Sequence, residues 1–415
     1  MQLGKYSFGT GDRFARQGEA QLKAFIMARQ QGVNITPVWN KSNREHLTIG
    51  SDPRQTRAAA GKAVKNLNWE GDWFVDADHI NIDTVDRFID SSDFFTIDLA
   101  DFIGRKASSK ELEGFYASNE KFTGQLNIPG IPQPLNLTGE MINAAGEKFL
   151  FAIKEAGRIY RHIKSKKGNE NFIAEISMDE VDEPQTPLEL FFILSAISAE
   201  KIPVRTIAPK FSGRFNKGVD YQGDPDRFAM EFEQDLMVID HAVKVFGLPE
   251  DLKLSVHSGS DKFSIYPVMG QLIRKYNKGI HVKTAGTTWL EEMTGLALAG
   301  GEALGLAVDI YGRAVDRFDE LCGPYSAVID IDRSQLPARE DVSTWNGEQF
   351  AAALRHDPDH PGYNPHMRQL IHVAYKIAAE YGDVFTGMLE KYSEITGRQV
   401  TGNIYDNHFK RIFDL

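Results

Sequence analysis

Phe74-Val-Asp-Ala-Asp-His-Ile80 is a short apolar run that breaks abruptly into two carboxylates and an imidazole. It reads as a buried strand delivering acid, base or metal-ligand chemistry at its carboxyl end. Similar runs recur at Phe172-Ile-Ala-Glu-Ile-Ser177, Leu252-Lys-Leu-Ser-Val-His257 and Ile280-His-Val-Lys-Thr284, each with a reactive side chain at or near its end. Apolar runs at residues 6–9, 35–39, 94–98 and 204–209 bring the candidate strands to eight, the number that closes a βα barrel.

Stretches with helical spacing alternate with these runs. Residues 16–31 end at Gly32, a natural C-cap, and residues 187–200 place Pro187 at a helix start, where a missing amide hydrogen costs little. After Asp224-Pro225, an N-cap followed by a first-turn proline, Phe228, Phe232, Leu236, Ile239 and Val243 form a stripe that stops at Gly247. The stretch from about 101 to 171 breaks the rhythm. It holds a Pro and Gly-rich turn at residues 128–134 and a long helical pattern at residues 139–164, and is read as an insertion between strands four and five, a candidate lid whose mobility the sequence leaves open. Helical patterns at residues 289–299 and 367–381 follow the last strand. The expected fold class is α/β: a (β/α)8 TIM-like barrel over residues 1–330 with that insertion, and a helical carboxyl-terminal extension over residues 331–415 packed on the barrel. The rival is a doubly wound open sheet. Gly9-Thr-Gly-Asp-Arg-Phe14 lacks the third glycine of a dinucleotide fingerprint, and no Gly-Lys-Ser or Gly-Lys-Thr P-loop exists, so neither nucleotide motif supports it.

Composition narrows the function classes. A formal charge of -11 argues against a nucleic-acid partner, which calls for clustered Lys and Arg. The single cysteine, Cys322, excludes an intrachain disulfide framework and suits a reducing compartment. The amino terminus lacks the basic-then-apolar order of a secretory signal, and no uncharged apolar run is long enough to span a bilayer, so the expectation is a cytoplasmic protein with a small-molecule substrate.

Loops at the carboxyl ends of barrel strands converge on one face, so residues distant in sequence share a site. His79, His257 and His281 lie nearest the strand ends and are the expected ligands of a divalent cation such as Mn, Zn, Ni or Fe, with carboxylates completing the sphere. His281, two positions before Lys283, also fits a lower barrel layer. Asp78 and Glu175 end different strands and form the expected acid/base pair, with Asp76, Asp98 and Asp101 in reserve. Asp179, Glu180, Asp182 and Glu183 read as a solvated acidic loop. Lys210 and Lys283 close two strands and suit either a grip on a substrate carboxylate or a Schiff base; with Arg13, Ser258 and Asp261 they are the expected substrate contacts. Gly286-Thr-Thr-Trp289 opens a helix whose first amides suit an anion, or else is plain Thr capping. The histidines at 356, 360, 366 and 372 match no standard zinc spacing and read as structural.

Taken together, residues 74–80, Ala174-Glu-Ile-Ser-Met-Asp-Glu180, Ser255-Val-His-Ser-Gly-Ser-Asp-Lys262, His281-Val-Lys-Thr-Ala-Gly-Thr-Thr-Trp289 and His360-Pro-Gly-Tyr-Asn-Pro-His366 resemble the tagaturonate/fructuronate epimerase family over nearly the whole chain. The resemblance implies interconversion of D-tagaturonate and D-fructuronate in hexuronate catabolism, with a divalent metal on a barrel. It supports Asp78 and Glu175 as proton acceptor and donor and the histidines as ligands. The inverted carbon of such a substrate is not adjacent to the ketone, so simple α-deprotonation cannot invert it; retro-aldol cleavage with a Lewis-acid metal is the favoured route over repeated enolisation. Rival readings are a class I aldolase on Lys210 or Lys283, a metal-dependent sugar isomerase, and a non-catalytic sugar-acid sensor. These patterns leave the oligomeric state open, a homo-oligomer included.

Overall fold

The structure, a computed structural model, describes residues 1–415. Its strands are β1 (Tyr6–Gly11), β2 (Ile35–Ser42), β3 (Phe74–Ile80), β4 (Phe94–Asp98), β5 (Gly124–Leu126), β6 (Leu135–Leu137), β7 (Ile173–Ser177), β8 (Thr206–Ala208), β9 (Lys253–His257) and β10 (Ile280–Thr284). All but β5 and β6 are parallel and close into an eight-stranded barrel in chain order, with β1 paired to β10 through Tyr6 opposite Ile280. This is the TIM-type barrel expected from the runs, with a largely helical carboxyl-terminal region.

Each strand is buried on both faces, and the alternation decides what goes where. On β3, Val75 and Ala77 join the core beneath the helices, while Phe74, Asp76 and Asp78 take the opposite face toward the axis. On β4, Phe95 and Ile97 point outward, and on β7 Ala174 and Ile176 do the same. Leu3, Val38, Phe74, Phe94 and Ile173 form an apolar floor. Each such side chain contributes about 1.5–3 kcal/mol on burial. Above that floor the barrel interior is polar, and this is where the site lies.

The helices Gly18–Gln30, Pro53–Asn66, Gly139–Lys167, Pro187–Ala199, Pro225–Phe246 and Tyr266–Lys275 surround the barrel. The helix Pro225–Phe246 starts at Asp224, whose side chain accepts from the amides of Asp226 and Arg227, and ends at Gly247 in the left-handed conformation. Between β3 and β4 there is only the 3-10 turn Val85–Arg87.

Two expectations about the periphery change. The long helix Gly139–Lys167 is the ordinary crossover between β4 and β7. The helix Ser109–Asn119 and the β5–β6 hairpin pack on the barrel flank, where Phe115 meets Phe192 at 6.1 Å and Phe122 meets Phe191 and Phe246 at 5.1 and 5.8 Å. These apolar contacts hold the segment away from the mouth, so it is not a lid. The division near residue 330 also shifts. The helix Thr287–Ala299 is buried from Thr287 to Ala297, and its apolar residues belong to a second apolar core that runs on to Leu389. The last helical turns return: Val400, Ile404, Phe409 and Ile412 join the main barrel core, covering the flank between β10 and β1.

Candidate active site at the barrel mouth

Above the apolar floor, one ammonium ties three strands together. Lys283 Nζ lies 2.7 Å from Asp76 Oδ2, 3.0 Å from Asp78 Oδ1 and 3.0 Å from Glu175 Oε1. It also donates to Thr96 Oγ1 at 2.5 Å. Thr96 Oγ1 sits 3.0 Å from each Asp76 oxygen and 3.1 Å from Glu175 Oε1, so β3, β4, β7 and β10 share one network. Gly9 on β1 makes room for it: a Cβ there would stand 3.0 Å from Lys283 Cγ and 3.3 Å from Asn40 Oδ1.

Burial alone would discharge these groups, but they charge one another. Burial lowers the Lys283 pKa, yet Asp76, Asp78 and Glu175 more than reverse this and hold it well above the usual lysine value. Burial likewise raises Glu175, and Lys283 and His257 override it, keeping the carboxylate well below its ordinary range. Asp76 goes the other way, raised because its burial outweighs Lys283. Glu175 Oε2 is buried and has no partner.

One layer nearer solvent, two imidazoles meet. His257, ending β9, places Nε2 2.8 Å from Glu175 Oε1 and Nδ1 3.2 Å from Asp179 Oδ1. His79 places Nδ1 3.2 Å from Asp98 Oδ2, with Nε2 3.8 Å from Asp78 Oδ1. The two rings stand edge to face at 5.4 Å. Strict alternation would turn His79 away from the axis after Asp78. A register shift between Ala77 and Ile80, with His79 at φ +49°, turns it back into the cluster. A non-glycine residue in this region is strained by about 1–3 kcal/mol, a cost found mainly where function holds it.

His79, Asp179 and His257 present ligand atoms within 4.8 Å of one another, as do His79, Asp98 and Glu180. In each imidazole one nitrogen faces a carboxylate, Glu175 for His257 and Asp98 for His79, which leaves His257 Nδ1 and His79 Nε2 for a cation. A carboxylate behind a ligating histidine is the usual support in metal sites. His257 Nδ1 is buried and meets Asp179 Oδ1 at 3.2 Å without a hydrogen bond of good geometry. The donor set therefore fits a divalent cation of the kind that accepts imidazole and carboxylate together.

The other anticipated residues lie elsewhere. His281 is one layer lower, with Nδ1 2.9 Å from Ser7 Oγ and its ring 5.3 Å from Phe94. Asp261 is a fully buried hub: Arg368 Nη2 donates to it at 2.6 Å and Thr287 Oγ1 at 3.1 Å, with His356 and His408 each at 3.5 Å. Ser258 Oγ donates to the Lys283 carbonyl at 3.1 Å. Thr287 Oγ1 bonds Asp261 and Thr288 Oγ1 accepts from Gln21 at 2.9 Å, so the helix start at Gly286 is buried against protein. Arg13 is bound to Glu45 at 3.0 Å and to the His372 carbonyl at 2.9 Å. The Lys210 amide donates to Gln185 at 2.7 Å, two residues past the end of β8. A cavity of about 1180 Å³ is a cleft on the flank lined by Arg13, Lys41, Arg16, Lys62 and Glu390; none of the clustered acids lines it.

Asp179, which reads in the sequence as part of a solvated acidic loop, faces His257 and His79 instead. Glu175, Ser177 and Asp179 keep a two-residue parity past the strand end, and Ser177 Oγ hydrogen-bonds Asp179. That parity was the available signal. Thr96 was hidden in the same way, between Phe94 and Asp98 on the inward face of β4.

A closed βα barrel with buried acids, a charged lysine and paired imidazoles at its carboxyl-terminal mouth is a barrel enzyme for a small polar substrate. The chain belongs to the tagaturonate epimerase family, whose model matches residues 1–404, and is an enzyme of the epimerase type. It is 29% identical over 388 residues to a tagaturonate/fructuronate epimerase of Thermotoga maritima, covering 89% of this chain and 72% of that protein. Crystal structures of the fructuronate-tagaturonate epimerase UxaE of Cohnella laeviribosi share its fold. The one-glycerol complex is 24% identical with a TM-score of 0.81, over 98% of this chain and 81% of that one. The native form is 23% identical with the same TM-score and coverage.

Proposed function

We propose that this enzyme interconverts D-tagaturonate and D-fructuronate at C4 by retro-aldol cleavage and recapture, with a divalent cation held by His79, Asp179 and His257. The observation that carries the reading is the convergence of those three ligands directly above Glu175 and Asp78. A cation bound there supplies Lewis-acid polarisation of the substrate carbonyl and stabilises negative charge developing on it.

The protein supplies the proton movements. One carboxylate takes the proton of the C4 hydroxyl; the C3–C4 bond breaks, its electron pair passes into the C2 carbonyl as an enediolate, and C4 becomes an aldehyde. After the aldehyde turns over, C3 attacks its opposite face and the new C4 oxygen needs a proton on the other side. Two carboxylates are therefore required, and Asp78 and Glu175 fill the two positions. Both are held ionised, so each begins as an acceptor and donates only once it carries a proton. Lys283 Nζ, 3.0 Å from an oxygen of each, is placed to pass the proton from one to the other.

The same ammonium argues against a Schiff-base aldolase, which needs a neutral amine; three carboxylates keep Lys283 charged. A sensor is disfavoured because buried charged groups are costly to retain without a task. The test is incubation of the protein and Mn, Ni or Zn with D-tagaturonate in heavy water, with the C4 epimers resolved. Fructuronate without deuterium on carbon is expected. No epimer with any of the metals rejects the activity, and deuterium next to the carbonyl favours enolisation or isomerase chemistry.

A further inference from the structure

Two cations face each other over the mouth without a counter-charge. Arg44 lies in the helix Asn43–Ile49 that follows β2, and Lys217 lies in the loop after β8. Around the barrel, β2 and β8 are separated by β1, β10 and β9 on one side and by β3, β4 and β7 on the other, so the two residues come from opposite sides of the rim. Tyr325 joins them: Arg44 Cζ is 4.9 Å and Lys217 Nζ 5.6 Å from its ring centre. Its hydroxyl lies 3.0 Å from that of Tyr375, on whose ring Arg13 stacks at 3.9 Å. The strap carrying Tyr325 is anchored where the Lys217 amide donates to the Val328 carbonyl at 2.8 Å.

Arg13 is already paired with Glu45, but the Lys217 ammonium and the Arg44 guanidinium have no ion-pair or hydrogen-bond partner and feel carboxylates only through space. Glu180 is among those carboxylates for both cations, and it also shares a potential ligand group with His79 and Asp98. The cations thus lie within electrostatic reach of Glu180 at the metal-capable end of the site. A half-buried ammonium with no anion is costly, and a ligand carboxylate arriving there recovers that cost as a charge-assisted hydrogen bond.

We propose that Lys217 and Arg44, beneath Tyr325, bind the carboxylate of the substrate and set the preference for uronates over neutral ketoses. This rests on the keto-hexuronate reading above and assigns the grip to residues other than Lys210, Lys283 and Arg13. The substrate lies with its ketone end toward the imidazoles and its acid end under the tyrosine strap.

The experiment measures KM and kcat for D-tagaturonate, and the inhibition constant of D-tagatose, which carries a hydroxymethyl group in place of the carboxylate. Lys217→Met is expected to raise the uronate KM by about thirtyfold or more, while the tagatose constant moves less than about threefold. Lys217→Arg recovers most of the loss, and Arg44→Met moves the same ratio by a smaller factor. An unchanged uronate KM in Lys217→Met overturns the proposal, as does an equal rise for both sugars or the same shift from Lys210→Met instead. Calorimetric binding of tagaturonate separates the two readings: wild-type protein that binds the uronate through Lys217 without turning it over defeats the epimerase reading and leaves this site standing.

Discussion

His257 Nδ1 and Asp179 Oδ1 meet at 3.2 Å, joining the end of β9 to the loop beyond β7. The contact brings a residue of an apparently solvated acidic loop into the centre of the site. Asp179 is held below its ordinary carboxylate range by His257 despite its burial, and burial in turn fails to discharge His257, which Asp179 and Glu175 push up to about 9. A pocket this anionic attracts positive charge, and a divalent cation supplies it in compact form.

The paired carboxylates give the first prediction. Asp78→Asn and Glu175→Gln each remove a proton carrier and keep the shape, so each is expected to lower kcat on tagaturonate by at least about a hundredfold. Circular dichroism checks that the barrel is intact. Near-normal rates in both variants reject the pair.

Lys283 is expected to regain its ammonium form with each proton it passes on and never to form an imine. Borohydride added during turnover should leave its mass unchanged, because no imine forms. A substrate-sized adduct mapped to Lys283 brings back the class I aldolase.

Burial carries the His281 pKa down to about 3 from its ordinary 6.5. Between those values the unfolded chain binds a proton that the folded chain refuses, so this group lowers stability as pH falls through the window. The slope is at most about 1.4 kcal/mol per pH unit. Urea unfolding of His281→Gln between pH 6.5 and 4 should therefore show a flatter pH dependence than the parent. Parallel curves contradict a neutral buried imidazole.

Arg368 is fully buried and bonds Asp261 at 2.6 Å and the Gly218 carbonyl at 2.6 Å. Arg368→Met leaves the Asp261 charge buried with its main partner gone, and a loss of about 3–5 kcal/mol is expected in chemical denaturation. A loss below about 1 kcal/mol means that Asp261 is not the hub joining the barrel to its helical cover.

The barrel was legible because parallel strands buried on both faces read as short apolar runs, and Phe94–Asp98 and Ile280–Thr284 fall where the runs do. Lys283, Glu175 and Asp78 were legible as strand-end chemistry. Depth was partly legible: His281 and Lys283 share a face of β10 two residues apart, which suits a lower layer for His281, and the register, His281 opposite Ser7 and Lys283 opposite Gly9, fixes it. The inward turn of His79 was invisible, since it depends on a local register shift rather than residue type. The lid reading failed because loop length says nothing about which face Phe115 and Phe122 will cover. Lys217 and Arg44 carried no signal, because their meeting depends on the Tyr325 strap from a distant segment.

Metal dependence tests the central claim most directly. Protein stripped with EDTA is titrated with Co(II), following visible absorption and tagaturonate turnover together, in the parent, Asp179→Ala and His281→Gln. The account predicts a turnover that vanishes on stripping and returns at about one cobalt per chain in the parent and in His281→Gln, with weak binding and little turnover in Asp179→Ala. Full turnover in the stripped parent, or unchanged cobalt affinity in Asp179→Ala, contradicts it.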